Sequence, residues 1–336
     1  MRFGLFSVAD HYPTELPRST AELYGELLEQ AEAADELGFD SFWLAEHHFH
    51  EYGGVPRPPI WMAAAAQRTR RIRLGSGVVV LPFDNPMRVA EDYAMVDVLS
   101  GGRLNLGVGS GYLRHELEGF SVSADDKRAR FDEALEIVRR AWTGEPLTFH
   151  GAHHRVAGVR INVRPLQEPR PPVWVATLRA DGGARVGARG LPAMFIPYAS
   201  AETLEQMTDG LAAYRAAFVA AGGHAADATA PFGLHCHCAE TTAQARAEAR
   251  EAMERYVRTR LYAVQRPFDA LIEQDVVAVG DPDEIARVAR RYAAAGFTHF
   301  LGIANFGGLP AKHVLRSMEL MARHVLPRFA AAPPAA

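Results

Sequence analysis

Lysine is nearly missing from this chain of 336 residues: Lys127 and Lys312 are the only two, and arginine supplies the other basic side chains. A mechanism that runs through a Schiff base needs a lysine in its pocket, so such chemistry is disfavoured. Cysteine is equally scarce. Cys236 and Cys238 are one residue apart, so on one strand they would sit side by side rather than clip a loop. No apolar run is long enough to span a bilayer. The opening Met1-Arg2-Phe3-Gly4-Leu5-Phe6 lacks the apolar core and small-residue cleavage site of a secretory signal. An excess of positive charge is absent as well. The formal net charge is -4, which offers no field to nucleic acid or to an anionic membrane surface. A cytoplasmic protein with neither of those partners is expected.

What is present is a regular alternation. Short apolar, β-branched runs predict strands at 3–8, 39–45, 72–81, 103–108, 173–176, 193–197, 232–239 and 298–303. Helical periodicity predicts helices at 21–37, 60–68, 86–99, 125–142, 183–188, 201–221, 242–262, 283–295 and 311–324. Gly38 is placed to close the first helix and Pro86 to open the third. Strands alternating with helices, without a break in composition, favour an α/β protein of the (β/α)8 TIM-barrel class over an open sheet, which the pattern still permits. The expected organisation is one barrel domain over residues 1–330, with a frayed tail at 331–336. Two stretches break the repeat. Residues 147–165 read as an inserted β-hairpin, and 258–279 as an irregular segment before the last repeat, placed to cover a site.

In a barrel the functional groups gather on the loops that follow the strands. After the second strand comes Glu46-His47-His48-Phe49-His50-Glu51, more titratable groups than packing alone would put at the end of an apolar run. Imidazole moves protons near neutral pH, and a neighbouring carboxylate can fix its tautomer. A metal reading of this cluster lacks further ligands at an obvious spacing, and a polar loop with incidental histidines is the bland alternative. After the fourth strand, Gly107-Val108-Gly109-Ser110-Gly111-Tyr112 can bring backbone N–H groups close to a phosphate. Its spacing is not that of a dinucleotide fingerprint, and a plain tight turn explains it equally well. Gly75 and Gly77, inside the β-branched third strand, suggest either a bulge or a flat group lying against the backbone. In His235-Cys236-His237-Cys238 the two residue types point to opposite faces of a strand. Buried thiols with pocket-facing imidazoles are therefore expected there, and no metal site.

The stretch Phe39-Asp40-Ser41-Phe42-Trp43-Leu44-Ala45-Glu46-His47-His48-Phe49 resembles the bacterial luciferase-like flavin monooxygenases. The resemblance continues in order through Arg88-Val89-Ala90-Glu91-Asp92, Ser100-Gly101-Gly102-Arg103, Val279-Gly280-Asp281-Pro282 and Asn305-Phe306-Gly307-Gly308-Leu309-Pro310. It covers nearly the whole chain. It implies a barrel that binds reduced FMN in its mouth. His47 takes the place of the family's catalytic histidine, with Glu46 beside it to set its tautomer or to touch the flavin. Ser76, Gly77 and Val78 match a segment under the isoalloxazine, where relatives can carry a cis peptide, here between Gly77 and Val78. Gly109, Ser110 and Tyr112, and later Ala176, Thr177 and Arg179, match cofactor-binding segments, with Arg179 supplying charge to the phosphate. The light-emitting subunit of luciferase has a cysteine where this chain has Gly109 and an arginine where it has Ser110, which argues against light emission.

The activity implied is monooxygenation of a small organic substrate by reduced FMN and dioxygen, through a peroxide at flavin carbon 4a. A separate reductase would supply the reduced flavin, and the chain would be a homodimer. A deazaflavin-dependent hydride transfer on the same barrel is the alternative enzyme reading. A flavin carrier without turnover and a metal-dependent hydrolase are the others. The substrate itself is not legible from the sequence.

Overall fold

The apolar runs become parallel strands, and the strands close on themselves. The computed structural model describes residues 1–179, 181–197, 203–261 and 265–330. In chain order its strands are β1 (Arg2–Ser7), β2 (Ser41–Leu44), β3 (Arg73–Ser76), β4 (Val79–Val80), β5 (Leu104–Gly109), β6 (Leu147–His150), β7 (Arg155–Val159), β8 (Val173–Thr177), β9 (Ala193–Phe195), β10 (Pro231–Cys238), β11 (Val277–Gly280) and β12 (His299–Ile303). The ring runs β1, β2, β3 with its continuation β4, β5, β8, β9, β10, β12, and back to β1. It is a closed eight-stranded parallel barrel. The closing ladder sets Arg2 opposite His299 and Phe6 opposite Ile303. The β6–β7 pair is the expected antiparallel hairpin.

The helices are α1 (Thr20–Leu37), α2 (Pro58–Arg68), α3 (Pro86–Ser100), α4 (Arg114–Gly119), α5 (Lys127–Ala141), α6 (Gly182–Gly187), α7 (Leu204–Ala220), α8 (Thr242–Thr259), α9 (Phe268–Glu273), α10 (Pro282–Ala294) and α11 (Ala311–His324). Local chemistry sets their ends. Ser19 and Glu22 form a capping box at the start of α1, and Gly38 ends that helix at φ 84, a left-handed conformation that costs glycine little. Asn85 accepts the Met87 N–H at the start of α3. Among the described residues no helix is long and apolar enough to cross a membrane.

At the amino-terminal end, the barrel interior is filled by indoles. Trp43 and Trp174 meet edge to face with centroids 6.2 Å apart, and Trp43 Nε1 donates to Ser41 Oγ at 2.9 Å. Trp43 lies so close to Gly75 that a Cβ there would come within 2.3 Å of its ring. The flat group against this glycine is the chain's own tryptophan.

Three expectations change. The third strand is not continuous to Leu81: it stops at Ser76, the Gly77–Val78 peptide is cis, and β4 resumes the pairing opposite Val108 and Gly109. Leu81–Phe83 is then a 3-10 turn. Helix α4 was not expected, because Arg114–Gly119 carries a single apolar side chain, Leu117, and so shows no apolar period. The segment 258–279 contains α9 and the start of β11, which pairs with the end of β10 from His235–Val277 to Cys238–Gly280. The four-residue run of β11 carries no alternation to mark it. The expected tail at 331–336, the first residues of the helix read at 201–221 and the last of that read at 242–262 lie outside the described residues.

Asp97, fully buried on α3, ties the underside together. Its carboxylate accepts the backbone N–H groups of Leu166 (2.8 Å), Gln167 (3.0 Å) and Leu104 (3.3 Å), and the Gln167 side-chain amide at 2.7 Å. Asp97→Ala strands these donors away from water, and stability is expected to fall by about 1–3 kcal/mol. Urea titration checks this: the midpoint should drop at unchanged slope.

Candidate active site

At the carboxyl ends of the strands a cavity of about 430 Å³ opens, within the usual size of a small-molecule site. Phe6, Val8, Val78, Met194, Ile196 and Ile303 give it apolar walls. Glu46, His47, Tyr52, Tyr112, Glu116, Tyr256 and Arg260 supply polar groups, and Lys127, Arg128, Arg179, Arg185 and Arg189 supply positive charge. The residues come from loops far apart in sequence, which the barrel makes neighbours.

Ten of the eleven residues singled out from the sequence line this cavity: Glu46, His47, Gly77, Val78, Gly109, Ser110, Tyr112, Ala176, Thr177 and Arg179. Ser76 does not. Its buried hydroxyl donates to Gly107 O at 2.9 Å and accepts the Gly107 N–H at 3.0 Å, so it joins β3 to β5 behind the wall. A Cβ on Gly77 would lie 2.4 Å from the Phe6 ring, and one on Gly109 would lie 2.7 Å from Val78. These glycines let the ends of β1, β4 and β5 close against one another. The Thr177 hydroxyl donates to Arg179 O at 2.6 Å, bending that loop at the strand end. Arg179 itself is exposed and reaches Asp181 at 3.3 Å.

His47 is buried beside the Tyr52 ring, with centroids 4.5 Å apart. Its Nδ1 lies 3.0 Å from Oε1 of Glu116, and the same oxygen accepts the His48 N–H at 2.9 Å. A carboxylate only accepts, so the proton sits on Nδ1 and Nε2 is the basic nitrogen. Burial holds the ring below the usual imidazole range, opposed by Glu116. Glu46 is not the tautomer-setting partner. Its Oε1 lies 3.3 Å from His48 Nε2 and 3.4 Å from the Val80 N–H. Burial pushes the Glu46 carboxyl up, against the pull of His48.

Glu116 is the residue that reading the sequence missed. The signal was an acid next to Leu117 on the buried side of α4, directly after the glycine turn, where a short surface helix would carry an apolar residue. Lys127 was also missed. Its ammonium donates to Gly111 O at 2.9 Å, and burial, then Arg128, lowers its pKa. Arg128 and Arg185 have no ion pair or hydrogen bond to a side chain among the described residues. Arg260 is buried, donates to the Tyr112 hydroxyl at 3.3 Å and lies over the Tyr52 ring at 5.6 Å. The β10 thiols do face helices: Cys236 Sγ is 3.5 Å from Met321 sulfur, and the Cys238 N–H donates to Ser317. The histidines, however, are not pocket-facing. His235 packs on Tyr256 and Phe306 and His237 on Glu248, and neither lines the cavity.

Comparison with known proteins agrees with this architecture. The profile of the family described as luciferase-like monooxygenase matches residues 1–299. The crystal structure of monooxygenase RslO1 from Streptomyces bottropensis superposes with a TM-score of 0.92 at 35% identity, over 98% of this chain and 100% of that one. Limonene 1,2-monooxygenase of Rhodococcus erythropolis is 31% identical over 90% of this chain and 80% of its own length. F420-dependent glucose-6-phosphate dehydrogenase of Amycolatopsis mediterranei is 28% identical over 94% of this chain and 98% of its own. With its barrel, its cavity and these relatives, the chain belongs to the luciferase-like monooxygenase family and is an oxidoreductase of that family.

Proposed function

We propose that this chain is the cytoplasmic oxygenase of a two-component system: it binds reduced FMN from a separate reductase and uses dioxygen to oxygenate a small organic substrate. The observation that carries the reading is the pairing of apolar walls with Lys127, Arg128 and Arg185 in one cavity beside His47. A flat ring system with a phosphate tail matches that division, and two of those cations have no other partner among the described residues. When bound, reduced flavin supplies the electrons and the activation of dioxygen.

The protein's own share is binding and proton control. Gly77 and Val78 give the ring a flat, side-chain-poor surface, held from behind by Ser76. Gly109, Ser110 and Tyr112 offer backbone and hydroxyl groups, and Ala176, Thr177 and Arg179 take part at the charged end with Arg185 and Lys127. His47 Nε2 accepts or returns a proton at the reacting atoms. Glu116 acts through His47 by fixing Nδ1–H, and Glu46 meets a polar edge of the ring. The apolar walls exclude water.

A second reading, hydride transfer with a deazaflavin coenzyme, draws support from the F420-dependent relative; the same cations would take that coenzyme's anionic tail. Homodimerisation is supported by exposed apolar residues on neighbouring helices: Ile60 (72% exposed) on α2, and Met95 (51%), Val98 and Leu99 on α3.

Mixing the protein–reduced FMN complex with oxygenated buffer should give a transient absorbing species that outlasts the protein-free control. Return of oxidised flavin at the control rate would exclude the oxygenase and make the deazaflavin coenzyme the next ligand to titrate. His47→Ala should lose about 10²–10⁴-fold in turnover while still quenching flavin fluorescence on binding; full turnover would remove His47 from the chemistry. With His47 as base, the rate falls as pH drops through a pKa already below the ordinary imidazole value. Glu116→Gln removes the interaction that raises that pKa, so the acidic limb of the kcat profile should move to still lower pH; an unmoved limb would assign it to another group. Met95→Arg should convert a dimer to a monomer by light scattering, and a wild-type monomer would dismiss the α2–α3 interface.

A further inference from the structure

Away from the cavity, three side chains from three elements converge. His237 stands near the end of β10, Glu248 in the second turn of α8, and His313 in the first turn of α11. His237 Nε2 is 2.7 Å from Glu248 Oε2, and His313 Nδ1 is 3.2 Å from the same oxygen. All three donor atoms lie within 4.8 Å of one another. We propose that His237, Glu248 and His313 form a binding site for a divalent transition ion of the zinc type, held by two imidazoles and one carboxylate, with water completing the shell.

The donor chemistry selects the ion. Imidazole nitrogen with carboxylate oxygen suits Zn²⁺ and its first-row neighbours and does not suit Mg²⁺, which demands oxygen. Two imidazole nitrogens aimed at one carboxylate oxygen need either a proton on each or one cation among them. The backing of the site is built: Gln244 Nε2 donates to Glu248 Oε1 at 2.8 Å, orienting the carboxylate as second partners of metal ligands do. His237 is fully buried and so fixed, whereas the side chains of Glu248 and His313 keep 21% and 27% of their exposure, which leaves an entry path from solvent. The neighbouring Cys238 is not among the converging donors.

A metal here would join α8 and α11 to the barrel wall. Helix α8 also carries Tyr256 and leads into Arg260, both of which line the cavity. The site is thus a clip that steadies one wall of the pocket, independent of which cofactor the pocket holds.

The test uses the full chain, stripped with a chelator and titrated calorimetrically with Zn²⁺. One equivalent should bind and raise the melting temperature, and Mg²⁺ at the same concentration should do neither. His313→Ala changes a partly exposed helix residue, and circular dichroism confirms its folding. It should weaken Zn²⁺ at least about tenfold, and Gln244→Ala should weaken it by about 10–100-fold through the carboxylate. Glu248→Gln, which keeps hydrogen-bonding capacity but loses the charge, should also fail to show the melting shift. No binding by the wild type, an equal shift with Mg²⁺, or equal Zn²⁺ affinity in wild type and His313→Ala would each overturn the site.

Discussion

Parallel strands closed into a ring have one rim where every strand ends, and the β1–β12 ladder is what closes this ring. Because the strands all run the same way, the loops after β2, β4, β5 and β8 open on a single side. Without closure, His47 and Thr177 would sit on separate parts of a sheet. With it, they share one cavity. The amino-terminal half of the interior is plugged by Trp43 and Trp174, so the cavity that holds His47 is confined to the rim.

Within that rim one carboxylate does two jobs. Glu116 receives the His47 ring and the His48 backbone on a single oxygen, which locks the loop after β2 onto the helix after β5. Burying an acid is costly unless its oxygens are hydrogen-bonded, and two donors on one oxygen meet that condition. The imidazole gains orientation while burial keeps it neutral. Positive charge gathers at two other elements of the same cavity, where Arg128 on α5 and Arg185 on α6 face solvent.

The barrel was legible because its strands, short as β2 and β9 are, sit in longer apolar runs, and most of its helices are long enough to show a period. His47, Gly77, Gly109 and Thr177 were legible for a related reason: each follows a strand directly, so position on the chain implies position on the rim. Pairings across the chain were not. Glu116 stands 69 residues from His47, and nothing local announces which of the nearby acids, Glu46 or Glu116, takes the ring. Glu46 was the nearer in sequence and the wrong one for that contact. The two strand-borne histidines failed in the same way. Alternation separated them from the thiols correctly, but only the packing of α8 shows that Glu248 and Tyr256 intercept them before they reach the pocket.

The burial of Cys236 and Cys238 against the outer helices has a consequence for how the protein meets oxidants. Burial pushes the Cys238 thiol up to about 12 and Cys236 well above the ordinary range. Oxidation and alkylation proceed through an exposed thiolate, and neither sulfur offers one. Peroxide escaping from any oxygen chemistry in the cavity would find no sulfur to convert to sulfenic acid. Purification in air without a reductant leaves the thiols intact, and maleimide reagents will label the chain only once it has unfolded.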